Sequence, residues 1–147
     1  MFNRVLVVCE GNLCRSPVGA ALLERQVPEC RVESAGLSAR PGEEMDPVAR
    51  EVAEANGLEV GPHASRLVTR ELVRATELLL VMAAPQREHL HAAMPEFSGK
   101  TMLFGKWMDE RDIPDPYRKN REVHEQVFRL LEQASRGWSA KLRKTSG

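Results

Sequence analysis

Val5-Leu6-Val7-Val8 runs straight into Cys9-Glu10-Gly11-Asn12-Leu13-Cys14-Arg15-Ser16-Pro17. Apolar strand formers that end in a small polar loop, with a proline where the first turn of a helix belongs, read as a buried strand turning into a helix. Gly11 and Asn12 take positive φ most readily, so the loop is expected to curl until its backbone N–H groups converge on one point. The helix N-terminus and the Arg15 guanidinium aim there too. Glu10, Gly11, Asn12, Leu13, Cys14, Arg15 and Ser16 therefore form a cradle for a single phosphate-like anion. Cys9 belongs at its floor, where a thiol is expected to leave the ordinary ~8.5 for the ~3.5–7.5 range of activated cysteines. A lone cysteine at a strand end is more often packing than chemistry. The joint spacing of Cys, five residues, Arg, Ser and Pro at a strand-to-helix turn reverses that reading.

The chain has 147 residues, 42% of them hydrophobic, which suits one globular domain spanning 1–147. Its 21 basic and 21 acidic residues cancel, so no global field recruits nucleic acid or an anionic membrane. Anion binding must then be local, at the Arg15 loop. The run Val5–Val8 is too short for a signal-peptide core, and the longest apolar run, Leu78–Ala84, stops at Pro85 well short of a membrane span, so a cytoplasmic protein is expected. Cys9, Cys14 and Cys30 make no paired disulfide framework and suit a reducing compartment. With the four histidines they show no metal-ligand spacing, and His89 and His91 read as a solvated helix end.

Apolar runs alternate with helical patterns along the chain, the signature of an α/β domain in which helices cover a parallel sheet. Strands are expected at about 3–8, 30–34, 77–82 and 100–104, and helices at about 17–27, 46–56, 69–75, 85–93 and 120–142. Asp46 before Pro47, Thr69 with Glu71, and Ala84 before Pro85 mark helix starts. In the last helix Val123, Val127, Leu130, Leu131, Ala134 and Trp138 form one stripe that docks on the sheet, while Arg121, Glu125, Arg129 and Glu132 stay in water. Lys141–Gly147 reads as a short frayed tail. With the first strand central, the sheet is doubly wound in the order 2-1-3-4, and the loop after that strand opens into the switch-point crevice.

Asp109, Glu110, Asp112 and Asp115 all stand in one loop region, and any of them would serve as a proton donor there. Pro114 and Pro116 stiffen the backbone around Asp115, though a proline-rich surface turn looks the same. Tyr117 is a cleft wall or ordinary packing. Ser34 and His63 read equally well as plain turn residues.

Four motifs, in order and spacing, closely resemble the low-molecular-weight protein-tyrosine phosphatases, and within them the bacterial branch that serves exopolysaccharide and capsule export. They are residues 9–17, Val32-Glu33-Ser34-Ala35-Gly36, Gly61-Pro62-His63-Ala64-Ser65-Arg66, and Ile113-Pro114-Asp115-Pro116-Tyr117. The resemblance implies Cys9 as nucleophile, Arg15 as phosphate clamp and Asp115 as general acid. It implies a polar scaffold of Asn12, Ser16, Ser34 and His63 behind the loop, with Leu13 and Tyr117 lining the substrate cleft. No cofactor is implied, and the implied partner is a membrane-anchored tyrosine autokinase with a tyrosine-rich tail, met without membrane insertion of this chain. Glu10, Val18-Gly19-Ala20 and Ala83 depart from the usual pattern without touching the three catalytic positions. Arsenate reductases of the same fold pass oxidation to further cysteines, of which only Cys30 exists here, with none in 83–95. Protein-arginine phosphatases favour Thr where Leu13 stands. A non-catalytic phosphotyrosine-binding module would not need Cys9, Arg15 and Asp115 together.

Overall fold

The computed structural model describes residues 3–146. Strands β1 (Arg4–Cys9), β2 (Arg31–Gly36), β3 (Leu78–Val81) and β4 (Thr101–Leu103) form one parallel sheet in the order β2-β1-β3-β4, as expected. Val5 to Cys9 are all buried, because a central strand covered on both faces must be apolar throughout. Alternate side chains face different helix layers. Val5, Val7, Leu78 and Leu80 pack with α1 (Arg15–Gln26), α2 (Pro47–Ala55) and α5 (Arg121–Ser146), whereas Leu6, Val8, Leu79 and Val81 pack with α3 (Arg70–Arg74) and α4 (Ala84–Ala93). Gly19 lets α1 settle onto its layer: a β-carbon there would stand 3.3 Å from Phe104 and 3.4 Å from Met82 and Val7.

The helix starts follow the capping residues. Asp46 accepts from the Ala49 N–H at 3.0 Å and Thr69 from the Leu72 N–H at 3.1 Å, each satisfying a donor that the first turn leaves open. Ala83 has no side chain to cap α4, and Asp112 Oδ1 instead accepts from the Ala84 N–H at 3.0 Å.

Several expectations need correction. β2 runs two residues past Ser34, because Ala35 and Gly36 pair with Val8 and Cys9. A β-carbon on Gly36 would lie 2.6 Å from the Glu10 carbonyl and 2.9 Å from the Asn12 nitrogen, so only glycine lets that strand run beside the loop. Residues Pro95–Lys100, expected as connection up to residue 99 and as strand from 100, form a 3₁₀ turn, and β4 begins at Thr101. The segment from Lys141, expected to fray, continues α5 to Ser146, because buried Leu142 extends the helix's apolar stripe; Gly147 lies outside the described residues. Within that stripe Val127, Leu131, Ala134 and Trp138 are buried, and the Trp138 indole donates to the Leu103 carbonyl at 3.1 Å. Glu125 and Glu132 are half-buried rather than fully wet, each held beside an arginine four residues away, Arg121 and Arg136. No helix among the described residues is long and apolar enough to cross a membrane.

Candidate active site

β1 delivers Cys9 to the carboxyl edge of the sheet, and the chain folds back over it before α1 begins at Arg15. Asn12 makes the turn, with φ of 58°. Gly11, expected to share the left-handed conformation, does not adopt it. Asparagine tolerates that region better than other residues with a β-carbon, and here its side chain and carbonyl fasten it from several sides. Asn12 Nδ2 donates to Ser16 Oγ at 2.8 Å and Ser34 Oγ at 3.0 Å, and Oδ1 accepts from the Arg66 N–H at 3.0 Å. His63 Nε2 lies 2.7 Å from the Asn12 carbonyl. The four scaffold residues expected from the resemblance therefore meet at one point, although β1, β2 and the 61–66 turn are far apart in sequence.

The thiol of Cys9 faces two hydrogen-bond partners, Ser16 Oγ at 2.9 Å and the Asn12 N–H at 3.3 Å. Above it opens a cleft of about 350 Å³ that Glu10, Gly11, Leu13, Cys14 and Arg15 line together with Asp115 and Tyr117. Asn12 and Ser16 are fully buried behind this floor, so their side chains support the loop rather than face the cleft. Arg15 is buried too. Its Nη1 donates to the Ile113 carbonyl at 2.9 Å, and its Nη2 stands 3.8 Å from Asp115 Oδ2. A buried guanidinium fixed by a backbone carbonyl presents its remaining N–H groups in a set direction.

Of the four loop acids, Asp115 alone lines the cleft. Asp112 caps α4, and Glu110 stands near Arg87 and Lys106 at 3.9 and 3.8 Å. Asp115 Oδ1 accepts from the Tyr117 N–H at 3.1 Å, which turns the carboxyl inward while half of the side chain stays exposed. Cys14 borders the cleft but is buried; burial first, then the negative charges of Asp46, Asp115 and Cys9, push its thiol well above the ordinary range. No cluster of three or more His, Cys, Asp or Glu side chains among the described residues is arranged to hold a metal ion.

Sequence reading missed the layer behind the scaffold. Arg66 donates through Nε to the Ser34 carbonyl at 3.0 Å and through Nη2 to Glu33 Oε2 at 2.8 Å, while Arg4 donates to Glu33 Oε1 at 2.8 Å. Burial pushes the Glu33 carboxyl up, but the hydrogen bonds from Arg66 and Arg4 outweigh it and hold the group below the usual glutamate range. Alternating charges at Arg31, Glu33 and Arg66 were the available signal, yet nothing local says that residue 66 returns to β2. His124, also passed over, is buried with Nε2 3.8 Å from Asp46 Oδ2.

Residues 4–146 match the family model described as low molecular weight phosphotyrosine protein phosphatase. The chain is 48% identical over 142 residues to the low molecular weight protein-tyrosine-phosphatase Wzb of Escherichia coli K12, covering 97% of each. It superposes with a TM-score of 0.94 on the crystal structure of the tyrosine phosphatase Wzb from Escherichia coli K30 in complex with sulphate, at 46% identity, covering 97% of this chain and 99% of that one. The YwlE arginine phosphatase of Geobacillus stearothermophilus is also similar, with 32% identity, a TM-score of 0.91, and coverage of 99% of this chain and 95% of that one. A match along nearly the whole chain, with the cysteine-to-arginine loop at the mouth of the same sheet, makes this chain a member of the low molecular weight phosphotyrosine protein phosphatase family.

Proposed function

We propose that the protein hydrolyses phosphotyrosine through a cysteinyl-phosphate intermediate. The observation that carries this reading is the convergence, in one cleft, of the Cys9 thiol beside Ser16, the buried Arg15 fork, and the Asp115 carboxyl 3.8 Å from that fork. A phosphoryl group seated on Arg15 and the loop amides has its phosphorus in line with Cys9 Sγ. The thiolate attacks, the S–P bond forms as the P–O bond to tyrosine breaks, and Asp115 gives its proton to the departing phenolate. The resulting Asp115 carboxylate takes a proton from a water that attacks phosphorus, and inorganic phosphate leaves. The Ser16 hydroxyl at 2.9 Å donates to the thiolate as the S–P bond breaks, which restores the starting state. Positioning and charge stabilisation carry most of the acceleration in phosphoryl transfer, and Arg15 with backbone donors supplies them.

Cys9→Ser tests the reading directly: turnover of phosphotyrosine is expected to vanish while the folded protein still binds phosphate. Activity that persists in clean variant enzyme refutes the nucleophile. Arg15→Lys is expected to fail as well, since an ammonium cannot present two parallel donors.

The similarity to an arginine phosphatase makes substrate class a specific question. Leu13 lines the cleft, where an aliphatic group packs on an aromatic ring but offers no hydrogen bond to a phosphoguanidinium. Matched peptides carrying phosphotyrosine, phosphoarginine or phosphoserine decide it, with strong preference for phosphotyrosine expected and comparable efficiency across the three counting against Leu13 as the gate. The physiological substrate that the resemblance supports is the tyrosine-rich tail of a membrane-anchored autokinase controlling exopolysaccharide export, met at the cytoplasmic face. A pull-down with the Cys9→Ser protein as bait is expected to retain that kinase in its phosphorylated form only.

A further inference from the structure

Beyond the phosphate floor the cleft lining carries two arginines, Arg40 from the segment after β2 and Arg118 from the segment that holds Asp115. Both are exposed, and among the described residues neither guanidinium has an ion-pair or hydrogen-bond partner. The backbone around Arg40, in contrast, is fixed. The buried Ser65 hydroxyl donates to the Arg40 carbonyl, and Ser65 Oγ and its carbonyl accept from the Glu43 and Gly42 N–H groups at 2.9 and 2.8 Å. Arg118 has φ of 62°, a left-handed conformation that disfavours a residue with a β-carbon, and its guanidinium lies 5.3 Å from the centre of the Tyr117 ring. Both cations thus stand beside the place where the phosphotyrosine ring must enter.

Resting on the phosphotyrosine reading above, we infer that Arg40 and Arg118 are specificity-determining residues that select substrates with an acidic side chain next to the phosphotyrosine. Besides Asp115, two further carboxylates share the lining, Glu10 and Glu43, so net charge alone does not decide the preference. Reach decides it. Glu10 is held by the Ser38 hydroxyl at 3.2 Å and Glu43 is half-buried, whereas Arg40 and Arg118 are exposed, with longer side chains whose forks match a carboxylate with two donors. A neighbouring Glu or Asp on the substrate meets those forks first, and a neighbouring Lys is repelled by them.

The experiment compares kcat/KM at low salt for three phosphotyrosine peptides that differ only in having Glu, Gln or Lys on both sides of the phosphotyrosine. Wild type, Arg40→Gln, Arg118→Gln and the double variant are compared, each normalised to its own turnover of p-nitrophenyl phosphate. The Glu peptide is expected to exceed the Gln peptide by about three- to tenfold in wild type, the sum of two exposed ion pairs. Each single variant is expected to remove part of that ratio and the double variant nearly all. High salt is expected to shrink it, as screening shortens from ~10 Å at 0.1 M to ~3 Å at 1 M. Glu10→Gln with Glu43→Gln is expected to raise the Glu-peptide ratio. Equal rates on Glu and Gln peptides in wild type, or a preference for Lys, overturn the inference without touching the phosphatase reading, and this comparison needs no variant to fold. Failure of wild type to turn over any phosphotyrosine substrate removes the underlying reading and the inference with it.

Discussion

Replacing Asn12 separates two things that the loop asks of one residue, a left-handed backbone and a buried hydrogen-bonding hub. Asn12→Gly keeps the conformation at no steric cost but removes the bonds to Ser16, Ser34 and the Arg66 N–H. The two serine hydroxyls can rotate, and Ser16 still has Cys9 Sγ beside it. The Arg66 N–H has no such freedom and loses its acceptor, at about 1–3 kcal/mol, to which glycine's extra unfolded-state freedom adds about 0.5–1 kcal/mol. A loss of about 1.5–4 kcal/mol is therefore expected, a large share of a typical domain's 5–15 kcal/mol. Asn12→Ala loses the same bonds and in addition holds a β-carbon at φ of 58°, so it is expected to be less stable than the glycine variant by about 1 kcal/mol. Urea unfolding of the three proteins reads both differences as midpoint shifts at unchanged slope. Loosening the loop also frees Ser16 and the thiol from their fixed geometry, and displacements near 1 Å cost on the order of 10² in rate, so kcat is expected to fall more than phosphate affinity. A glycine variant within ~1 kcal/mol of wild type, or an alanine variant at least as stable as the glycine one, refutes the assignment of Asn12 as the hub.

Asp115→Asn is expected to lower turnover of phosphotyrosine by about 10²–10⁴ and that of p-nitrophenyl phosphate far less, because nitrophenolate leaves without a proton; equal losses on both, with cysteine phosphorylation rate-limiting, argue against Asp115 as the acid. Glu33 is held below its unfolded value of ~4.3, so its stabilisation is complete above that pH and is lost as pH falls through the lower folded value. The stability gap between wild type and Glu33→Gln is accordingly expected to narrow on acidification, and a gap that stays constant from pH 7 to pH 3 contradicts the network. Brief peroxide is expected to yield a Cys9–Cys14 disulfide, seen by mass spectrometry, with Cys14→Ser recovering poorly on later thiol treatment. Because burial keeps the Cys14 thiol protonated, bridge formation is expected to speed up with rising pH; full recovery of Cys14→Ser removes the protective role.

What the chain determined by itself is whatever depends on neighbours in sequence. The apolar run of β1, the loop from Cys9 to Ser16, the caps at Asp46 and Thr69, and the stripe of α5 are all set by local propensity and period, and the structure has each of them. The tertiary structure decided what depends on which segments meet. Asp115 is distinguished from Asp112 and Glu110 only because Asp112 is drawn to α4 and Glu110 lies beside Arg87 and Lys106, while Asp115 swings to Arg15. Arg15 is aimed by the Ile113 carbonyl, 98 residues away, and Arg66 reaches Asn12 across 54. Gly36 is required by a loop that approaches it from another strand. Spacing along the chain specifies which side chains a turn or helix face can present, whereas a hydrogen bond between distant segments exists only once the sheet order has closed the loops between them.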